Sequence, residues 1–149
     1  MNWAGNLYLL AVAWPLARTD IREHRLPNKY TLSAIAIAFF AELLSAVIGN
    51  QWLNFCVALI CALLSFAIGL LANRFATLGM GDVKLMVAMS LCLGWFTPVA
   101  PLLAVTFAFV LAGLVVLAKL AARKTRMGQS IALGPYLLAG FAIALAMSF

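Results

Sequence analysis

Charge is what this chain has least of. Of 149 residues only 9% are Asp, Glu, Lys or Arg, and just four are acidic. Soluble domains carry about 25% charged and about 45–50% apolar residues, whereas 66% of this chain is apolar. A small water-soluble fold leaves much of its surface wet and cannot hide that much apolar side chain. A soluble domain is therefore excluded, and lipid must serve as part of the solvent. Cysteine is scarce and scattered: Cys56, Cys61 and Cys92 fall inside apolar runs with no CxxC spacing. That excludes a disulfide framework and a zinc ribbon, and leaves three small packing residues. The net charge of +6 comes without aromatic-interleaved basic stretches. Nucleic acid is thus excluded as a partner, and anionic lipid headgroups are the expected one. The first apolar stretch precedes the positive charges, the reverse of a signal peptide, and reads as a retained span.

What is present is a series of apolar runs. A bilayer core needs about 20 apolar residues per helix, with a range of about 17–25. Six candidates lie at about 2–17 (continuing through Asp20), 31–48, 52–72, 82–95, 98–118 and 131–147. The expected fold is all-α, a polytopic membrane helix bundle of six spans forming a single integral-membrane domain over residues 1–149. Pro15 is a candidate kink in the first span. All ten Lys and Arg residues fall at three junctions. Arg18, Arg22, Arg25 and Lys29 lie between spans one and two. Arg74 and Lys84 flank the junction of spans three and four. Lys119, Arg123, Lys124 and Arg126 lie between spans five and six. The intervening turns at 49–51 and 94–98 carry none. The positive-inside rule then places the three charged junctions in the cytoplasm and both termini outside. No internal repeat is evident.

The acids are Asp20, Glu23, Glu42 and Asp82. Asp20 ends the first span and Asp82 begins the fourth, so two intervening helices bring both carboxylates to one face of the membrane. Ionisable groups in membrane segments are costly and point to function by default. Two carboxylates sharing a proton can hydrolyse a peptide bond, one as general base on water and the other polarising the carbonyl. The bland alternative is a pair of interfacial acids matched to Arg18, Arg22 or Lys84.

Asp82 follows two glycines in Leu78-Gly79-Met80-Gly81-Asp82-Val83-Lys84. Glycines there permit unusual backbone dihedrals and close approach of a second chain, as a peptidase that accepts an extended substrate requires. A plain turn, with Asp82 as an ordinary helix N-cap, explains the same residues.

The stretch Gly79-Met80-Gly81-Asp82-Val83-Lys84 resembles the GxGDxK motif of the type IV prepilin peptidases, GxGD intramembrane aspartyl proteases. Asp20 through Leu26-Pro27-Asn28 resembles that family's first-aspartate region, with Leu26 where Ile is usual. Leu133-Gly134-Pro135 resembles its Phe-Gly-Pro segment, with Leu133 where Phe is usual. The resemblance implies catalysis by Asp20 and Asp82 without metal or other cofactor. It implies Gly79, Gly81, Lys84, Pro27, Asn28, Gly134 and Pro135 as supporting positions. It also implies removal of a short basic leader from prepilin or pseudopilin precursors at the cytoplasmic face of the bacterial inner membrane. Bifunctional relatives carry an N-terminal methyltransferase region, often with paired CxxC motifs. None occurs in this sequence, so the expectation is the short peptidase-only form found with Tad-type (Flp) pili.

The other polar residues invite plainer readings. Glu42 lies about 16 Å along the second helix from Thr31, inside the bilayer, as a structural hydrogen-bond partner or a group supporting the site. His24 belongs to a solvated charged loop. Two readings compete with the peptidase: a small transporter with Asp20, Glu42 and Asp82 lining a polar path, and a noncatalytic scaffold in a secretion complex.

Overall fold

The computed structural model describes residues 3–23, 28–76, 79–121 and 133–148. Among them are six helices and no strand: α1 (Trp3–Glu23), α2 (Asn28–Gly49), α3 (Trp52–Ala76), α4 (Met80–Gly94), α5 (Ala100–Ala121) and α6 (Gly134–Met147). Sparse charge leaves backbone groups no polar competitor, and in an apolar medium each must be satisfied within its own helix. α1 continues through Pro15 and past Asp20 to Glu23, so the first helix ends later than its apolar run. The hinge between α2 and α3 is tight. Asn50 has φ 49°, and the Gln51 amide donates to the Ala46 carbonyl at 3.1 Å, which stops α2 in a left-handed cap.

The helices are not equivalent spans. Tyr30–Gly49, Trp52–Phe75 and Ala100–Ala118 are each long and apolar enough to cross a membrane, and Gly134–Met147 is apolar but shorter. α4 has 15 residues, about 22 Å of helix at 1.5 Å per residue, against a hydrocarbon core of about 30 Å. Its setting explains how so short a helix is kept: every residue from Leu85 to Trp95 except Val87 is buried. α4 packs most extensively on α3, then α2, and touches α5, α6 and α1 as well. Around it the outer helices contact one another in the order α3, α2, α1, α6, α5. Among the described residues α5 and α3 share no substantial interface. The architecture is therefore a membrane helix bundle in which five helices form an incomplete ring about a central α4.

Small residues set the spacing. A Cβ at Gly94 would lie 2.9 Å from the Ala58 Cα, so α3 and α4 meet at a distance that no larger residue at 94 permits. Further along the same seam the Ser65 and Ser90 hydroxyls hydrogen-bond at 2.6 Å, buried between the helices. Val83 packs where a side chain at Gly69 would stand. These three contacts run in opposite residue order along the two helices, so α3 and α4 are antiparallel. α5 and α6 are joined closely where Gly140 packs on Ala104 and Ala108. The ends of α1, α3 and α5 thus share one end of the bundle with the starts of α2 and α4. Arg18, Arg74 and Lys84 belong to that end, which is the basic end.

Candidate active site

Asp82 lies in the first turn of α4, at the basic end of the helix that the ring surrounds. Gly79, not Asp82, is the N-cap, with φ −61° and ψ 137° and no side-chain cap bond. The N-cap reading of Asp82 is therefore corrected: it is the third helical residue, where a carboxylate also faces the positive end of the helix dipole. The reading of the glycines changes too. Gly79 has dihedrals that any residue adopts, so backbone freedom is not its use. Space is: a Cβ at position 79 would lie 3.1 Å from Asp82 Oδ2. The carboxylate leans back over the N-cap and fills the volume a side chain would need. Asp82 Oδ1 is shielded from solvent, while the residue as a whole is half-buried. Gly81 lies within α4, half-buried.

Lys84 is half-buried and two residues beyond Asp82. At 3.6 residues per turn the two leave α4 about 200° apart. Asp82 instead shares its face with Met86, one turn on.

Asp20 belongs to the last turns of α1; its side chain lies outside the described atoms. Its backbone position follows Leu16 by one turn, and Leu16 is fully buried. The Tyr8 hydroxyl and Ser33 hydroxyl hydrogen-bond at 2.6 Å and tie α1 to α2. From Tyr8 to Asp20 is about 18 Å of helix, and from Ser33 back to Asn28 about 8 Å. α1 therefore carries Asp20 at least to the level where α2 begins, at the basic end. Topology brings the backbone of Asp20 to the same end as Asp82, and α1 touches α4 directly.

Among the supporting positions, Gly79, Gly81, Lys84 and Asn28 belong to that end by the starts of α2 and α4. Asn28 opens α2; Pro27 and His24 lie outside the described residues. Gly134 is buried and Pro135 is in the first turn of α6 after the Leu133 N-cap, where proline's missing N–H costs nothing. α6 packs on α1, α4 and α5, so it touches both helices that carry the aspartates. Glu42 is elsewhere. It is 14 residues into α2, about 21 Å from the basic end, and 3% exposed. Its Oε2 has no hydrogen-bond partner, and the Cys92 thiol of α4 is within electrostatic reach. The hydrogen-bonding role expected for Glu42 is not what Oε2 performs.

Sequence reasoning passed over Ser65 and Ser90, which lock α3 to α4 two turns from Asp82. The available signal was a lone hydroxyl within the apolar stretch of each of the two helices. Met86 was also passed over, since nothing in an apolar run distinguishes a helix floor from its walls.

A family model described as the type IV leader peptidase family matches residues 7–118. That range contains both aspartates and the glycines before Asp82, and stops short of Gly134-Pro135. A comparison with curated proteins and another with solved structures each found no match.

Proposed function

Because the chain belongs to the type IV leader peptidase family, we propose that this membrane-bound peptidase is an aspartic endopeptidase using Asp20 and Asp82. Its substrates are prepilin or pseudopilin precursors, and the bond cut joins a short basic leader to an apolar helix. The observation that carries the reading is positional. The first turn of the buried central helix and the last turns of α1 present the two aspartates at one end of the bundle. Arg18, Arg74 and Lys84 share that end, and the positive-inside rule makes it cytoplasmic. The host membrane is the bacterial inner membrane, with anionic headgroups against the basic rim.

The chemistry needs one ionised and one protonated carboxyl. The ionised one takes a proton from water as its oxygen attacks the scissile carbonyl carbon. The protonated one gives its proton to the carbonyl oxygen. The tetrahedral diol then collapses: one of its hydroxyls returns a proton to the second carboxylate as the C=O bond re-forms, the C–N bond breaks, and the departing nitrogen receives the proton taken from water. Two carboxyls in contact titrate as a pair with two macroscopic steps, which keeps one protonated across the working range. Gly79 leaves Asp82 Oδ2 its volume, and α4, packed against all five other helices, gives the carboxylate a fixed base. Such fixation is where positioned groups gain most of their advantage.

The test uses purified protein in lipid with leader-bearing precursors. Wild type is expected to shorten the precursor and create one new N-terminus. Asp82→Asn and Asp20→Asn are each expected to lower the rate by about 10²–10⁴-fold, the usual worth of a general acid or base. Undiminished cleavage by either variant would remove that residue from the reaction.

A further inference from the structure

The ring about α4 is open on one side, and the opening is a cleft. It has a volume of about 310 Å³ between α3 and α5, walled by Leu64 and Ile68 on one side and Leu102 and Val105 on the other. Met86 of α4 forms its floor. Cys61 and Pro98 also line it, and the Cys61 thiol reaches the Pro98 carbonyl at 4.0 Å. That contact joins the walls at the end farther from the basic face. In the other direction only one turn of α4 separates Met86 from Asp82, which lies on the same helix face about 6 Å along the axis.

Building on the peptidase reading, we infer that this cleft docks the apolar helix of the membrane-inserted precursor and delivers its leader junction to Asp82. Three observations single out this occupant. The exposed walls are apolar: Leu64, Ile68 and Leu102 are each more than half exposed, and they face the bilayer where only apolar partners reside. The lining runs along α3 from Cys61 to Ile68, and Gly69, next to Ile68, packs on Val83 beside Asp82, so a helix in the cleft has one end directed toward Asp82; a lipid chain there would bring no amide bond to the carboxylate. Size also fits partial insertion. A helix is about 10–12 Å across with its side chains, and the cleft is open to lipid where Leu64, Ile68 and Leu102 remain exposed. The precursor would thus press one stripe of side chains between α3 and α5 and leave its other side in lipid, free to leave after cleavage. Affinity would come from packing and close backbone approach, as between membrane helices generally.

Photo-crosslinking tests this in the full-length protein. Benzoylphenylalanine replaces Ile68 or Leu102 in the cleft, or Phe40 on the lipid-facing side of α2 as control (66% exposed). Each is combined with Asp82→Asn and placed in phospholipid vesicles with a precursor made of a short basic leader and a single apolar helix. Enzyme–precursor adducts are expected from positions 68 and 102, several-fold above position 40. Equal yield at position 40 overturns the inference, as do adducts at 68 and 102 with lipid alone or with a second enzyme molecule. A second measurement uses Leu102→Trp, which narrows the cleft and is expected to raise KM for the precursor several-fold with little change in kcat. Wild-type cleavage of the same precursor separates the two failures. If cleavage occurs without cleft adducts, the docking site is wrong and the peptidase reading stands. If wild type cleaves no leader-bearing precursor, the peptidase reading and this inference fall together.

Discussion

Gly79→Ala separates space from backbone freedom at the site. Position 79 has φ −61° and ψ 137°, which alanine adopts without strain. Loss of glycine's freedom in the unfolded chain should then leave stability unchanged or raise it by about 0.4–1 kcal/mol. The penalty is local. The added Cβ would meet Asp82 Oδ2 at 3.1 Å, and ordinary contact begins at 3.4 Å. The carboxylate must therefore retreat by roughly 0.3 Å. A misplacement of about 1 Å costs a catalytic group about 10²-fold, so scaling the logarithm gives a three- to five-fold loss in kcat. Precursor cleavage in lipid followed by gel shift measures the rate, and thermal unfolding in detergent measures the stability. Gly79→Val, with more atoms over the carboxylate, should lose more activity at similar stability. A wild-type rate for both variants would refute the crowding argument. A stability loss above about 1 kcal/mol in Gly79→Ala would restore the dihedral explanation that the φ and ψ values exclude.

Three further outcomes follow from packing. Ser65→Ala strands the Ser90 hydroxyl, and by the usual worth of hydrogen bonds between membrane helices should cost about 0.6–1.7 kcal/mol; the double variant with Ser90→Ala should cost less than the sum, as read by unfolding in mixed micelles. Gly94→Ala drives a methyl group into the Ala58 backbone and should cost about 1–3 kcal/mol as overpacking, seen as a lowered unfolding temperature. Glu42→Leu removes a buried oxygen that has no hydrogen-bond partner and should stabilise the protein by about 1–3 kcal/mol while precursor cleavage persists, since Glu42 is about 21 Å of helix from the basic end. A fall in stability would mean the carboxyl serves a partner, and proton flux in vesicles that Glu42→Gln abolishes would favour the transporter reading.

Helix positions were legible because apolar runs and charged junctions carry them directly. The α2–α3 turn at Asn50, the start of α4 before Asp82 and the Gly134-Pro135 boundary of α6 all fall near their expected places. Rank among the helices was not legible. α4 reads as a short span, and only packing shows it to be the central helix, because a helix hidden by protein need not match the bilayer. The opening between α3 and α5 depends on which outer helices fail to meet, a property of no single segment. At the site, position 79 illustrates the limit. A glycine two residues before a GD pair suggests backbone freedom, yet its dihedrals are ordinary and its use depends on where a neighbouring carboxylate leans. Glu42 was visible as a membrane-buried acid, but its distance from the basic end follows from the register of α2.

Whether the two aspartates share one site is tested most directly by a proximity measurement. Asp20→Cys and Asp82→Cys are introduced together after Cys56, Cys61 and Cys92 are replaced by serine, and a bifunctional thiol reagent spanning only a few ångströms is applied in lipid. The account expects efficient intramolecular bridging of positions 20 and 82, and none when Glu42→Cys is paired with Asp82→Cys. A folded protein that bridges 42 to 82, or leaves 20 and 82 unbridged, would contradict the shared site on which the peptidase mechanism depends.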